Sequence, residues 1–153
     1  HDVDFSLSKA FQIAKIDHKD AISSTFFVML NSKIYSLSRK NLNYIKDIIL
    51  LGHKIGLHFD ASLYSKTKFS LEIECKNECK VLEELIYYKI NIISFHRPEK
   101  KFIGRKTKIA ERHHTYMLLL IKSIKYCSES QGKWRFDDPE ELISDSAINN
   151  IQL

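Results

Sequence analysis

Three short strand-like runs, separated by stretches of helical period, constrain this chain more than any other feature. They are Ser24-Thr25-Phe26-Phe27-Val28-Met29, His53-Lys54-Ile55-Gly56-Leu57-His58-Phe59 and Asn91-Ile92-Ile93-Ser94-Phe95-His96. The first is continuously apolar, as a strand buried on both faces of a parallel sheet must be. Between the runs, Leu42, Ile45, Ile48, Ile49 and Leu51 mark a helix that Gly52 is suited to stop. A second helix is expected from about Ser70 to Tyr88, with Leu71, Val81, Leu82, Leu85 and Ile86 facing inward. Ahead of the first run, Ser6 or Ser8 caps a helix reaching about Asp17, with Ala10, Ile13, Ala14 and Ile16 turned in. Arg97-Pro98 ends the third run, because proline has no N–H for a ladder. This alternation implies an α/β fold built on a parallel sheet or barrel. Further on, Lys125-Tyr126-Cys127 reads as a strand and Asp138-Pro139-Glu140-Glu141-Leu142-Ile143 as a short helix with proline in its first turn. Ile151-Gln152-Leu153 reads as one more strand, and the stretch 102–120 carries no clear pattern.

A chain of 153 residues suits a single domain over residues 1–153, and 44% hydrophobic with 28% charged residues is a globular composition. The formal charge of +5 is spread along the chain, so it reads as solvated surface rather than a nucleic-acid site. No apolar run approaches the length of about 18 residues that a membrane span needs, so no membrane insertion is expected. Cys75, Cys79 and Cys127 are an odd count, and Cys75 and Cys79 lack the spacing of a redox pair. Reduced thiols in a cytoplasmic protein are expected, although a start at His1 leaves the question of a leader open.

In βα folds the chemistry collects at the carboxyl ends of the strands. Those ends carry Asp2 and Asp4, His58 and Asp60, His96 and Arg97, and Ser128-Glu129-Ser130 after the strand at 125–127. If Asp2 and Asp4 belong to a strand they point to one side, and two like charges so close call for a cation or a shared proton. Asp4 and His58 supply two ligands for Zn²⁺ or a similar transition metal, with Asp60 or His96 as the third. Asp2 is placed to take a proton from water, and Arg97 to keep Asp2 ionised. His53, at the opposite end of its strand, is read as structural, and His18, His113 and His114 as solvated. Trp134 is a candidate platform for a sugar ring, although a lone tryptophan is more often core.

Together these motifs resemble the NodB-type polysaccharide deacetylases, and most closely the branch associated with surface-polysaccharide gene clusters, the WbmS-like proteins. His1-Asp2-Val3-Asp4 resembles the first motif in its D-x-D form, and Ser24-Thr25-Phe26-Phe27-Val28 the second strand. Gly52-His53-Lys54-Ile55-Gly56-Leu57-His58 is similar to G-H-E-I-G-x-H, and Phe95-His96-Arg97-Pro98 to the arginine-proline motif. Ser128-Glu129-Ser130-Gln131-Gly132-Lys133-Trp134-Arg135 is similar to S-D-S-x-G-x-W-R. The resemblance implies a distorted (β/α) barrel that removes acetyl from an N-acetylated sugar with a divalent metal, zinc first and Co²⁺ or Ni²⁺ as alternatives. It implies Asp2 as base, Asp4 and His58 as ligands, Arg97 orienting Asp2, and Glu129 and Trp134 on the substrate side. Ser62 stands where the family's second metal histidine falls, so the third ligand comes from elsewhere. Ile151-Gln152-Leu153 resembles the start of I-Q-L-L-x-H-P and stops before its histidine, so the sequence reads as a fragment lacking both ends. Two other readings stand beside the deacetylase: a non-catalytic carbohydrate-binding descendant, and a metal hydrolase of the same fold acting on a phosphoester. Oligomeric state leaves no trace in the sequence.

Overall fold

The computed structural model describes residues 1–64, 68–130, 133–135, 138–145, 147, 148 and 150–152, with 68, 69 and 128–130 described by backbone alone. The chain forms two compact units, His1–Glu99 with Lys108–Thr115, and Lys100–Thr107 with Tyr116–Leu153.

The first unit is a parallel α/β structure. Its strands are β1 (Asp2–Val3), β2 (Thr25–Val28), β3 (Lys54–Phe59), β4 (Ile92–Phe95) and β5 (His113–His114), in the spatial order β1-β2-β3-β4-β5 with all pairs parallel. Its helices are α1 (Leu7–Lys19), α2 (Arg39–Leu50) and α3 (Lys68–Ile86). Each crossover steps to the next strand in the same direction, so right-handed connections put all three helices on one face. Alternation along the strands then sorts the side chains. Val28, Ile55, Leu57, Phe59, Ile93 and Phe95 share one face and are buried. His53 has the same parity, and its Nε2 meets the carbonyl of Ala14 in α1 at 2.8 Å, which identifies that face as the helical one. Asp2, Gly56, His58 and Ser94 fall on the other face.

Local chemistry sets the helix ends. Ser6 caps α1 and Ser38 caps α2, each hydroxyl accepting from a backbone N–H at 3.4 Å. After α2, Gly52 donates to Ile49 and His53 to Ile48, with Gly52 at φ +90. This is the paired closure that a left-handed glycine permits.

Three expectations about packing need correction. Ile13 and Ile16 are exposed on α1, where Leu7, Ala10 and Ala14 form the buried stripe. On α3 the buried stripe is Leu71, Cys75, Glu78, Cys79, Leu82 and Ile86, while Val81 and Leu85 sit beside it, 42% and 37% exposed. His114 is fully buried rather than solvated. It lies in register with Ile93 on β4, its ring edge-on to Phe95 at 5.6 Å. His53 is structural as expected, and Cys75, Cys79 and Cys127 are all buried.

In the second unit, β6 (Lys125–Tyr126) pairs in parallel with β9 (Ile151–Gln152), and β7 (Ser128–Ser130) forms a hairpin with β8 (Lys133–Arg135). The helices are α4 (Leu118–Ser123) and α5 (Pro139–Ser144), the latter capped by Asp138. Ser128–Ser130 is therefore a strand in its own right rather than the end of the strand expected at 125–127. Among the described residues no helix is long and apolar enough to cross a membrane.

Candidate metal centre

Asp2 and Asp4 leave the end of β1 on the same face, two residues apart. His58 stands near the end of β3, two strands away, and it meets both carboxylates. Its Nδ1 lies 3.7 Å from Asp2 Oδ1, and its Nε2 lies 3.2 Å from Asp4 Oδ1. The ring thus lies between the two carboxylates.

His96 completes the group. The ladder of β3 and β4 extends to it, with His96 N donating to the Phe59 carbonyl at 2.9 Å, and its side chain shares the His58 face. His96 Nδ1 lies 3.3 Å from Asp4 Oδ1 and 3.3 Å from His58 Nε2. One carboxylate oxygen and two imidazole nitrogens therefore form a triangle with edges of 3.2, 3.3 and 3.3 Å. A tetrahedral ion with ligands at about 2.0–2.1 Å requires ligand–ligand edges of about 3.3–3.4 Å. Asp4, His58 and His96 could hold such an ion on one triangular face, leaving a further position open.

No family model, no curated protein and no solved structure matches the chain. Its chemistry is therefore read from the arrangement of its own residues.

One atom of the triangle points to an ion. Asp4 Oδ1 is a buried oxygen with no hydrogen-bond partner. Orphaned buried polar atoms are uncommon, and a missing ion is one of their ordinary explanations. Burial holds the His58 pKa below its usual value, against the opposing pull of Asp2 and Asp4. A neutral imidazole is the form that binds metal.

The other sequence candidates fall outside the triangle. Asp60 caps a single turn over Ala61–Leu63, its Oδ1 accepting from Ser62 N at 2.9 Å and Ser62 Oγ at 2.6 Å. Of the two candidates for the third ligand, His96 is the one that arrives. Arg97 is exposed, with φ +54, and among the described residues no ion pair joins it to Asp2. Trp134 is half exposed on β8, opposite Glu129 in the hairpin register, so it is not a core residue of its unit. The Glu129 side chain lies outside the described residues.

Two residues packed near the strands of the centre had no role assigned from the sequence: Gly56, quoted only within its motif, and Tyr35. Gly56 faces the Phe27 ring, and a Cβ there would come within 2.5 Å of it. Tyr35, in the loop between β2 and α2, is tied to the backbone of both β1 and β2. Burial pushes its phenol up to about 12, so the hydroxyl keeps its proton and can donate. A lone tyrosine in a polar loop has no pattern that would have singled it out.

Proposed function

We propose that this protein is a metal-dependent hydrolase of the polysaccharide deacetylase type, removing acetyl from an N-acetylated sugar used in surface polysaccharide. The observation that carries the reading is the Asp4–His58–His96 triangle at tetrahedral edge length with Asp2 beside it. The strand order, consecutive and parallel, supports a (β/α) barrel with the centre on its inner face. The donor set of two nitrogens and one oxygen favours Zn²⁺, Co²⁺ or Ni²⁺ over Mg²⁺ or Ca²⁺.

Asp4, His58 and His96 would hold the ion. A divalent ion bound there supplies positive charge that makes water more acidic and polarises an amide carbonyl. Asp2, 43% exposed, accepts a proton from the attacking water. Arg97 is proposed to keep Asp2 ionised once substrate covers the site. Trp134, half exposed, and Glu129 are proposed as carbohydrate-binding residues. The buried thiols Cys75 and Cys79, which form no disulfide, support a reducing compartment, the cytoplasm.

The test is metal content and acetate release. The purified protein should take up Zn²⁺, Co²⁺ or Ni²⁺, and Asp4→Ala and His58→Ala should lose it. Asp2→Asn should keep the metal and lower kcat by about 10²–10⁴-fold. Protein that binds none of these metals, with unchanged Asp4 and His58 variants, overturns the enzyme reading. Phosphate release in place of acetate moves the substrate to a phosphoester. The second reading, a non-catalytic carbohydrate-binding descendant, rests on Arg97, which is exposed and, among the described residues, makes no ion pair with Asp2. Sugar binding without turnover would establish it.

A further inference from the structure

The hydrogen-bond ladder between β1 and β2 stops one bond short, and a side chain stands in for the missing bond. Phe27 N donates to the His1 carbonyl at 2.8 Å. In a parallel pair such bonds recur at every second residue, so the next would run from Met29 N to the Val3 carbonyl. Instead, Met29 N donates to Tyr35 Oη at 2.9 Å, and Tyr35 Oη donates to the Val3 carbonyl at 2.8 Å. A hydroxyl oxygen is inserted where a direct bond would close the strands. The residue after Val3 is Asp4, whose Oδ1 is shared by two edges of the ligand triangle, 3.2 Å from His58 and 3.3 Å from His96.

We propose that Tyr35 is a positioning residue for the metal centre: its hydroxyl spreads β1 from β2 at the point where Asp4 leaves the sheet, and so sets Asp4 against His58 and His96. The inference rests on the metal-centre reading above. Without the hydroxyl, Met29 N and the Val3 carbonyl either close directly or stay unpaired, and both outcomes move the backbone that carries Asp4. The backbone that carries Tyr35 is held independently, since Ser32 Oγ accepts from Ile34 N at 3.1 Å and from Tyr35 N at 3.3 Å.

The experiment compares Co²⁺ affinity and visible absorption in the native protein, Tyr35→Phe and Tyr64→Phe, at temperatures where each is folded. Tyr64→Phe is the control, because it removes a hydroxyl that donates to Glu78 rather than one tied to β1. Tyr35→Phe should bind Co²⁺ about 10–100-fold more weakly, the usual effect of losing a group that orients a ligand, with an altered absorption band. Tyr64→Phe should match the native protein in both. Placing p-aminophenylalanine at position 35 keeps a donor for the Val3 carbonyl but accepts only weakly from Met29 N, so its affinity and band should fall between those of the native protein and Tyr35→Phe. It serves as the probe if Tyr35→Phe does not fold, and native affinity and spectrum in it then overturn the role. Native affinity and spectrum in folded Tyr35→Phe overturn the role of Tyr35 and leave the metal centre standing. A native protein that binds no Co²⁺ overturns both.

Discussion

Gly52 and Gly56 are four residues apart, and each is glycine for a different reason. Gly52 has φ +90 and open space around its α-carbon, so only its backbone forbids a side chain. Gly56 has an ordinary backbone, but a methyl there would lie 2.5 Å from the Phe27 ring and 2.9 Å from the Ile92 carbonyl. Gly56→Ala should therefore destabilise by about 1–3 kcal/mol through overpacking, read from urea denaturation. Glu78 is a second buried oddity, 4% exposed, accepting from Tyr64 and from Asn31 at 3.1 Å. Burial raises its pKa above the ordinary 4.5. A carboxyl raised in the folded state contributes stability that is full below its ordinary pKa and is lost as pH rises through the folded value. Stability of Glu78→Gln relative to the native protein should accordingly increase as pH rises from about 4.5, in denaturation measured across pH. A gap that stays constant with pH would contradict this. At this scale His58 and Asp4 were legible because their residue types suit strand ends. His96 was left tied with Asp60, since spacing cannot tell which of two polar residues will cap a turn.

The elements were read well where the chain punctuates itself. Ser38 and Gly52 bracket α2, and the expected stop falls at the glycine that closes the helix. Gly52→Ala should cost about 1–2 kcal/mol, the strain of a left-handed residue with a Cβ, seen as a lower denaturation midpoint with an unchanged slope. The inward faces were less legible. On α3, large apolar residues drew the reading to Val81 and Leu85, whereas the buried stripe runs through Cys75, Glu78 and Cys79. A helix buries what its axis turns inward, so a small thiol and a hydrogen-bonded carboxyl can displace a valine. The stretch 102–120 was opaque for a related reason. Arg112 ties its turn in place by donating to Glu83 at 2.9 Å, the Ile90 carbonyl at 2.8 Å and the Ala110 carbonyl at 2.7 Å. Glu83 and Ile90 lie 29 and 22 residues away, and no local pattern announces them.

At the scale of the molecule, the parallel α/β arrangement followed from the order of the runs, while the separation of a second unit left no mark in composition. The metal centre joins three strands, so an ion bound there should stabilise the unit that carries it. At an ion concentration near 100 times Kd the gain is about 2.7 kcal/mol, which for a chain of this size is a rise of roughly 5–10 °C in Tm. Calorimetry with and without Zn²⁺ checks it. A chelator should reverse the shift, and Asp4→Ala should show none.

The consecutive order of the strands also fixes a sequence of events during synthesis. As the chain emerges, β2 can pair with β1, β3 with β2 and β4 with β3, each new strand meeting the one made just before it. His58 can reach Asp4 once β3 has docked, but His96 arrives only with β4. A nascent chain stalled before residue 96 should bind the ion weakly, and one extended past β4 should bind it fully. An ion that bound there would then be a late check on assembly, captured only by a sheet whose first four strands already lie in the right order.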